Sequence, residues 1–311
     1  MKNITQMDGI QIDITNKCTL KCGNCTRYCT LVKDKYFMPL EDVKRAIDST
    51  LGYTSFTGIM GGEPLLHPDF DEICRYARSK RDPHQLGLWT TLPKGYEHHA
   101  KRITETFYHV YVNDHSRPDI YHWPSLVGVQ EVVPDKNKMW CMINDCWVQH
   151  SWCASINPRG AWFCEVAGNM AMLFGEGKGW DVEPGWWWRS PKDYIEQMEQ
   201  FCPRCGMPAP LALRSSMDRI DDVSPLNYEA LKDKVNHPER LKIHDLKIVS
   251  EQKQKMAAYK DFDYRNRCAA KYGMFLIVNE CDTWTAYMKD DTKPYQEKKS
   301  ILETLNERFA A

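Results

Sequence analysis

The sequence has no uninterrupted apolar run of the roughly eighteen residues that a membrane-crossing helix needs. It has no excess of charge of one sign either: Lys plus Arg number 41 and Asp plus Glu 42, a formal net charge of −1. Such a balance offers no global attraction to nucleic acid or to anionic lipid. The polar start MKNITQMDG lacks the basic flank and apolar stretch of a secretory signal. Internal repeats and low-complexity linkers are missing as well. The expectation is a cytoplasmic globular protein, and hydrophobic and charged fractions of 42% and 27% in 311 residues suit an ordered core. Two residue types stand out against these absences, 13 cysteines and 11 tryptophans. An odd cysteine count without an export signal points to metal or redox chemistry rather than a disulfide scaffold.

The texture of the chain suggests three parts, at residues 1–138, 139–210 and 211–311. In the first, Ile10, Ile12 and Ile14 alternate with polar residues at the period of a half-buried strand. Pro39, followed by Leu40, Val43, Ile47 and Leu51 at helical spacing, predicts a helix. Residues 56–60 read as a second strand, 69–77 as a helix, 85–91 as a third strand, 96–107 as a weaker helix and 108–113 as a fourth strand. A fifth strand has room at 127–133. Strand–helix alternation implies parallel strands with helical crossovers, an α/β fold. The segment is shorter than the ~250 residues of a closed eight-unit barrel, so a partial (β/α) barrel is expected.

Residues 139–210 hold six cysteines and eight tryptophans among glycines and prolines, with little periodicity. A bound metal holds such a stretch better than a large core does. The last hundred residues are charged and mostly helical in pattern. There, 274–278 is the one strand-like run, and Ile301, Leu302, Leu305 and Phe309 mark a terminal amphipathic helix.

Directly after the first strand stand Cys18, Cys22 and Cys25 in the pattern C-x3-C-x2-C. Three thiolates this close in sequence converge on one inorganic centre when the loop wraps around it. With Cys29 as fourth ligand they can hold structural zinc, although zinc sites usually pair two separated knuckles. As three ligands they can hold a four-iron cluster with one iron left open. After the second strand comes Met60-Gly61-Gly62-Glu63-Pro64, where glycines allow close backbone approach and a carboxylate can accept from an ammonium group.

The triplet and the Gly-Gly-Glu-Pro turn together resemble the signature of the radical SAM superfamily. The resemblance implies a [4Fe-4S] cluster on Cys18, Cys22 and Cys25, whose open iron chelates the amino and carboxylate groups of S-adenosyl-L-methionine. It implies that Gly61, Gly62 and Glu63 help to hold the amino group, and that a flavodoxin- or ferredoxin-type partner donates electrons. Thr90 and Thr91 end the third strand, and Asn113 and Asp114 the fourth. They are candidate cofactor contacts, because ligands gather at the carboxyl ends of such strands. Capping of the next helix or turn is the alternative for each. Asn24 precedes Cys25 where relatives commonly carry an aromatic, a departure that bears on adenine packing.

Farther along, Cys141, Cys146, Cys153 and Cys164 precede the knuckle Cys202-Pro-Arg-Cys205. A C-x2-C knuckle suits zinc or an iron–sulfur cluster. The run C-x13-G-x3-C through Cys146, Gly160 and Cys164, with a hairpin turn inside it, resembles the auxiliary-cluster domain of the SPASM and twitch subfamilies. The single knuckle favours the one-cluster twitch form. On this resemblance Cys146, Cys164, Cys202 and Cys205 hold a second, auxiliary [4Fe-4S] cluster, with Cys153 the rival to Cys146. Structural zinc on the same residues is the alternative. Over residues 10–210 the features are similar to those of 2-deoxy-scyllo-inosamine dehydrogenase-type enzymes.

Members of the superfamily cleave S-adenosyl-L-methionine to a 5′-deoxyadenosyl radical that abstracts hydrogen from the substrate. The resemblance therefore implies an oxidoreductase. If the auxiliary cluster accepts an electron, a carbinol becomes a ketone and a base takes the hydroxyl proton. If a thiol returns hydrogen to the opposite face, the outcome is epimerisation. Cys268 and Cys281 are the candidate donors, as is whichever of Cys146 and Cys153 is not a ligand; structural burial is the alternative for each, and Cys74 reads as core.

Trp180, Trp186, Trp187 and Trp188, beside Glu183 and Arg189, suit the faces and hydroxyls of a sugar-like or other small hydroxylated substrate. Packing is the alternative use of such a cluster. A ribosomal peptide is the rival substrate. A non-catalytic iron–sulfur or zinc interaction module is the alternative of another class.

Overall fold

The computed structural model describes residues 1–113, 115 and 120–248, together with the backbone of three strands at 274–280, 283–290 and 293–299. Asp114, Cys268, Cys281 and the expected terminal helix lie outside the described residues.

Three strand–helix units and a fourth strand open the chain. β1 (Gly9–Asp13), β2 (Phe56–Met60), β3 (Leu86–Thr90) and β4 (His109–Asn113) pair side by side in parallel. Their crossovers carry α1 (Leu40–Ser49), α2 (Phe70–Lys80) and α3 (Ala100–Thr106). Pro39 caps α1, and Val43, Ala46 and Ile47 bury one helical stripe, as the spacing requires. β1 departs from a half-buried strand. All five of its residues are buried, Gln11 and Asp13 included, because β1 is central in the sheet and its polar face turns into a charged interior network described below.

Beyond β4 come β5 (Tyr121–His122), α4 (Val129–Val132), α5 (Lys136–Asn144) and α6 (Trp147–Ser151). The fifth strand expected at 127–133 is thus a single helical turn. The Gly128 amide donates to Ser224 Oγ at 3.0 Å and the Val129 amide to the Cys205 carbonyl at 3.2 Å, so these donors are taken from any sheet ladder. The hairpin expected around Gly160 is present. β6 (Ala154–Asn157) adds in parallel to β1, and β7 (Gly160–Trp162) folds back on it through Gly160, whose φ of 119° suits only glycine. α7 (Glu165–Phe174) and α8 (Ile195–Phe201) follow.

The C-terminal hundred residues hold more strand than their pattern suggests. β8 (Arg214–Ser215) pairs with β5, and β9 (Asp221–Val223) with β10 (Leu241–Ile243) on either side of α9 (Pro225–Leu231). β11 (Met274–Glu280) begins where the strand-like run does, but pairs antiparallel with β4 and continues into β12 (Thr283–Asp290) and β13 (Lys293–Lys299). The run TWTAYM in β12 is rich in strand formers, and the Lys and Pro of β13 suit the edge of the nine-stranded sheet. Charge alone had given those residues a helical look. Among the described residues no helix is long and apolar enough to cross a membrane.

Candidate active site

The carboxyl ends of the parallel strands border a cleft. Cys18, Cys22 and Cys25 line it, in the loop that leaves β1. Cys29 lies against them, its thiol bonding to both Cys18 and Cys25. That bond, with the backbone amides of Arg27 and Cys29, pulls Cys25 down to about 6 against the opposing effect of burial. Burial first, then the neighbouring Cys25 and Cys18, push Cys22 up. His115 Nδ1 stands 3.5 Å from Cys22 Sγ. Thiolates grouped at one cleft favour a positively charged inorganic centre, so the donor set fits a cluster.

Gly61, Gly62, Thr91 and Asn113 line the same cleft; Glu63 and Thr90 stand behind its wall. A Cβ on Gly61 would meet the Thr15 carbonyl oxygen at 2.2 Å, and one on Gly62 the Lys17 oxygen at 2.2 Å. The glycines therefore let the end of β2 dock on the segment leading into Cys18. Glu63 is fully buried, and its carboxylate accepts from Thr90 Oγ1 at 2.6 Å, Thr91 Oγ1 and Thr91 N at 2.7 Å each, and Leu65 N at 3.1 Å. It ties the end of β2 to the end of β3. Glu63→Ala strands those donors and is expected to cost about 2–3 kcal/mol in urea unfolding, with a smaller loss in Glu63→Gln, which keeps one acceptor oxygen.

Cys146, Cys164, Cys202 and Cys205 line a second, smaller cavity, and Met207 forms part of the wall of both cavities. Burial raises Cys146 to about 11 and Cys164 to about 12, while backbone amides at the start of α6 and α7 donate to their sulfurs. Cys202 and Cys205 are pushed up by burial and then by the other thiols of the group. Four sulfurs around one hollow, three of them receiving amide bonds, fit an anionic thiolate cluster. Cys153 is not among them; it is buried beside Gln11 and Glu165.

Arg27, buried, connects the two thiol regions. It donates to Gln11 Oε1, to Met60 Sδ at 2.8 Å and to Glu165 Oε2 at 2.6 Å, and lies 3.6 Å from Asp13 Oδ1. Burial disfavours its charge, but Asp13 and Glu165 outweigh that and hold it protonated. Burial likewise pushes the Glu165 carboxyl up against the pull of Arg27. Asn169 Nδ2 donates to Asp13 Oδ2 at 2.9 Å. Gln11, Arg27 and Glu165 all line the cleft, and Gln11 as well as Arg27 bonds to the Glu165 carboxylate.

The aromatic wall of this cleft comes from Trp89, Trp123, Trp147 and Trp152, with Trp123 and Trp147 ring centroids 4.9 Å apart. The four tryptophans singled out in the sequence are elsewhere. Trp186 and Trp187 are buried against the end of α1, their indole N–H groups reaching Ser49 Oγ and Ser49 O, and neither Trp180 nor Trp188 lines the cleft. Gln11, Arg27 and Glu165 are site residues that periodicity passes over. Their signals are polar residues alternating within a central strand and charges placed one or two positions after Cys164 and Cys25.

Residues 12–122 match the radical SAM superfamily. The matched segment contains Cys18, Cys22, Cys25 and the Gly61–Gly62–Glu63 turn, and the matching family implies a [4Fe-4S] cluster and S-adenosyl-L-methionine. Among solved structures the chain is similar to the crystal structure of BtrN in complex with AdoMet and 2-DOIA, at 16% identity and a TM-score of 0.43, over 64% of this chain and 88% of that one. It is also similar to SeMet BtrN in an open conformation, at 15% identity and a TM-score of 0.40, over 64% and 86% of the two chains. No curated protein matches it.

Proposed function

We propose that the protein is a radical SAM oxidoreductase that abstracts hydrogen from a sugar-like or other small hydroxylated substrate, with oxidation assisted by an auxiliary cluster. The observation that carries this reading is the meeting of two sets of thiols, one half-buried and one mostly buried, at adjoining cavities, with a polar network between them. When bound, the first cluster and S-adenosyl-L-methionine supply the 5′-deoxyadenosyl radical and the auxiliary cluster an electron acceptor.

The chain's own residues do the rest. Cys18, Cys22 and Cys25 would hold the first cluster, while Gly61, Gly62, Thr91 and Asn113 border the space for S-adenosyl-L-methionine. Cys146, Cys164, Cys202 and Cys205 would hold the auxiliary cluster, which makes residues 139–210 the auxiliary-cluster domain. Trp123, Trp147 and Trp152 exclude water and offer ring faces to the apolar side of a cyclic substrate. The Glu165 carboxylate and the Arg27 guanidinium beside it, both on the cleft wall, offer a hydroxylated substrate an acceptor and donors.

Anaerobic reconstitution followed by iron and sulfide analysis tests the reading. About eight irons per chain and reductive cleavage of S-adenosyl-L-methionine are expected. Cys202→Ser should reduce the count to about four and leave the cleavage itself in place. About four irons in the unaltered protein would remove the auxiliary cluster, and bound zinc without cleavage would remove the radical chemistry.

A further inference from the structure

The loop between the second and third thiols of the triplet is held from far away in the sequence. The Gly23 amide donates to the Ser216 carbonyl at 2.7 Å, and the Asn24 amide to the Ile220 carbonyl at 3.2 Å and to Asp221 Oδ1 at 2.9 Å. Arg240 donates to the Lys21 carbonyl at 3.2 Å and to the Cys22 carbonyl at 2.9 Å, while Asp221 Oδ2 accepts from its Nε at 2.8 Å. His122 Nδ1 lies 2.7 Å from the Gly23 carbonyl. These partners of the loop's amides and carbonyls stand at least 99 positions away in the chain.

The side chain of Asn24 completes the arrangement. Its amide donates to Asp222 Oδ2 at 2.9 Å, and its carbonyl accepts from the Asp222 amide at 2.8 Å. Arg214 braces Asp222 from the other side with two bonds of 2.7 Å. Asn24 sits at φ 49°, a left-handed conformation that asparagine tolerates better than an aromatic does. At Gly23 a Cβ would lie 2.5 Å from the Ile220 oxygen, so backbone packs directly on backbone. Asn24, Asp221 and Asp222 are all buried.

We propose that residues 216–240 are a clamp that sets the position of the cluster-binding loop before any cluster is present, with Asp221, Asp222 and Arg240 as its positioning residues. The inference gives the start of the C-terminal segment a role, and it rests on the radical SAM reading for the identity of what the loop holds. It also explains why Asn24 stands where an aromatic is common: its side chain is committed to Asp222. Flexible thiols must be gathered at a cost in conformational entropy, and a loop already gathered binds its centre more tightly.

Hydrogen exchange on the cluster-free protein tests the clamp directly. In the unaltered chain the Gly23 and Asn24 amides should be protected. In Asp222→Ala they should exchange at least about ten-fold faster while β1 and α7 keep their protection. On reconstitution the same variant should fall from about eight irons to about four, keeping the auxiliary cluster. If Asp222→Ala does not fold, Asn24→Ala removes the same bonds from the loop side and is read in the same two ways.

Free exchange at Gly23 and Asn24 in the unaltered cluster-free chain would overturn the proposal. So would a full iron complement and unchanged exchange in both variants. Failure of the unaltered protein to take up iron would instead overturn the radical SAM reading, and the exchange measurement would still decide the clamp.

Discussion

Cys22→Ser is expected to fold and yet to lose reductive cleavage of S-adenosyl-L-methionine by more than about 100-fold, since substitutions one shell farther from a metal already cost 10–100-fold. The expectation follows from position. Cys22 lines the cleft with Cys18 and Cys25, and the loop carrying it is held by main-chain contacts that serine leaves in place. The 5′-deoxyadenosine formed under a chemical reductant measures it, and iron should fall to about four per chain as the auxiliary site stays filled. Cys29→Ser is the control. Cys29 touches Cys18 and Cys25 by hydrogen bonds, so a hydroxyl there preserves the contact and most of the cleavage should survive. If Cys29→Ser and Cys22→Ser lose cleavage equally, four equivalent thiols bind the metal, and an open iron for S-adenosyl-L-methionine is excluded.

Arg27→Met has the largest expected effect on stability. Two carboxylates, Asp13 and Glu165, are buried with Arg27 as the cation between them. Removing one partner from such a group typically costs 3–5 kcal/mol, because the charges left behind have lost both water and their partner. Urea unfolding of the cluster-free protein should show a loss of about that size. Replacing Arg27, Glu165 and Asp13 together by apolar residues of similar volume should restore most of it, since no buried charge then stands alone. Function is expected to part from stability here. The triple variant should still cleave S-adenosyl-L-methionine, because Cys18, Cys22 and Cys25 are untouched, but should no longer couple cleavage to substrate turnover. A variant that stays fully coupled would show that the network serves the fold and not the substrate.

How much of this was legible in the residues varies with the range of the interaction. β1 to β4 and α1 to α3 were readable because alternation and helical spacing are properties of near neighbours; Pro39 marks the start of α1, and Gly160 the later β6–β7 turn, by backbone chemistry alone. The Cys18–Cys22–Cys25 triplet was readable for the same reason, being contiguous. The stretch at 127–133 was not. A short apolar run is compatible with strand or helical turn, and hydrogen bonds donated by the Gly128 and Val129 amides to Ser224 and Cys205 decide between them. The tryptophans misled because aromatic density carries no address: Trp186 and Trp187 pack on Ser49, while Trp147 and Trp152, at the two ends of α6, reach the cleft.

The sequence by itself therefore determined the class of fold, the radical SAM motifs and the chemistry that contiguous thiols can support. The tertiary structure alone decided which polar residues meet those thiols. It turned Glu63 back toward Thr90 and Thr91, brought Arg27 onto Glu165, grouped Cys146 rather than Cys153 with the distant knuckle, and set Asp222 and Arg240 on the loop at Cys22. The physical reason is that each buried backbone and side-chain polar group must find a partner, and a partner supplied by folding stands at no fixed spacing along the chain.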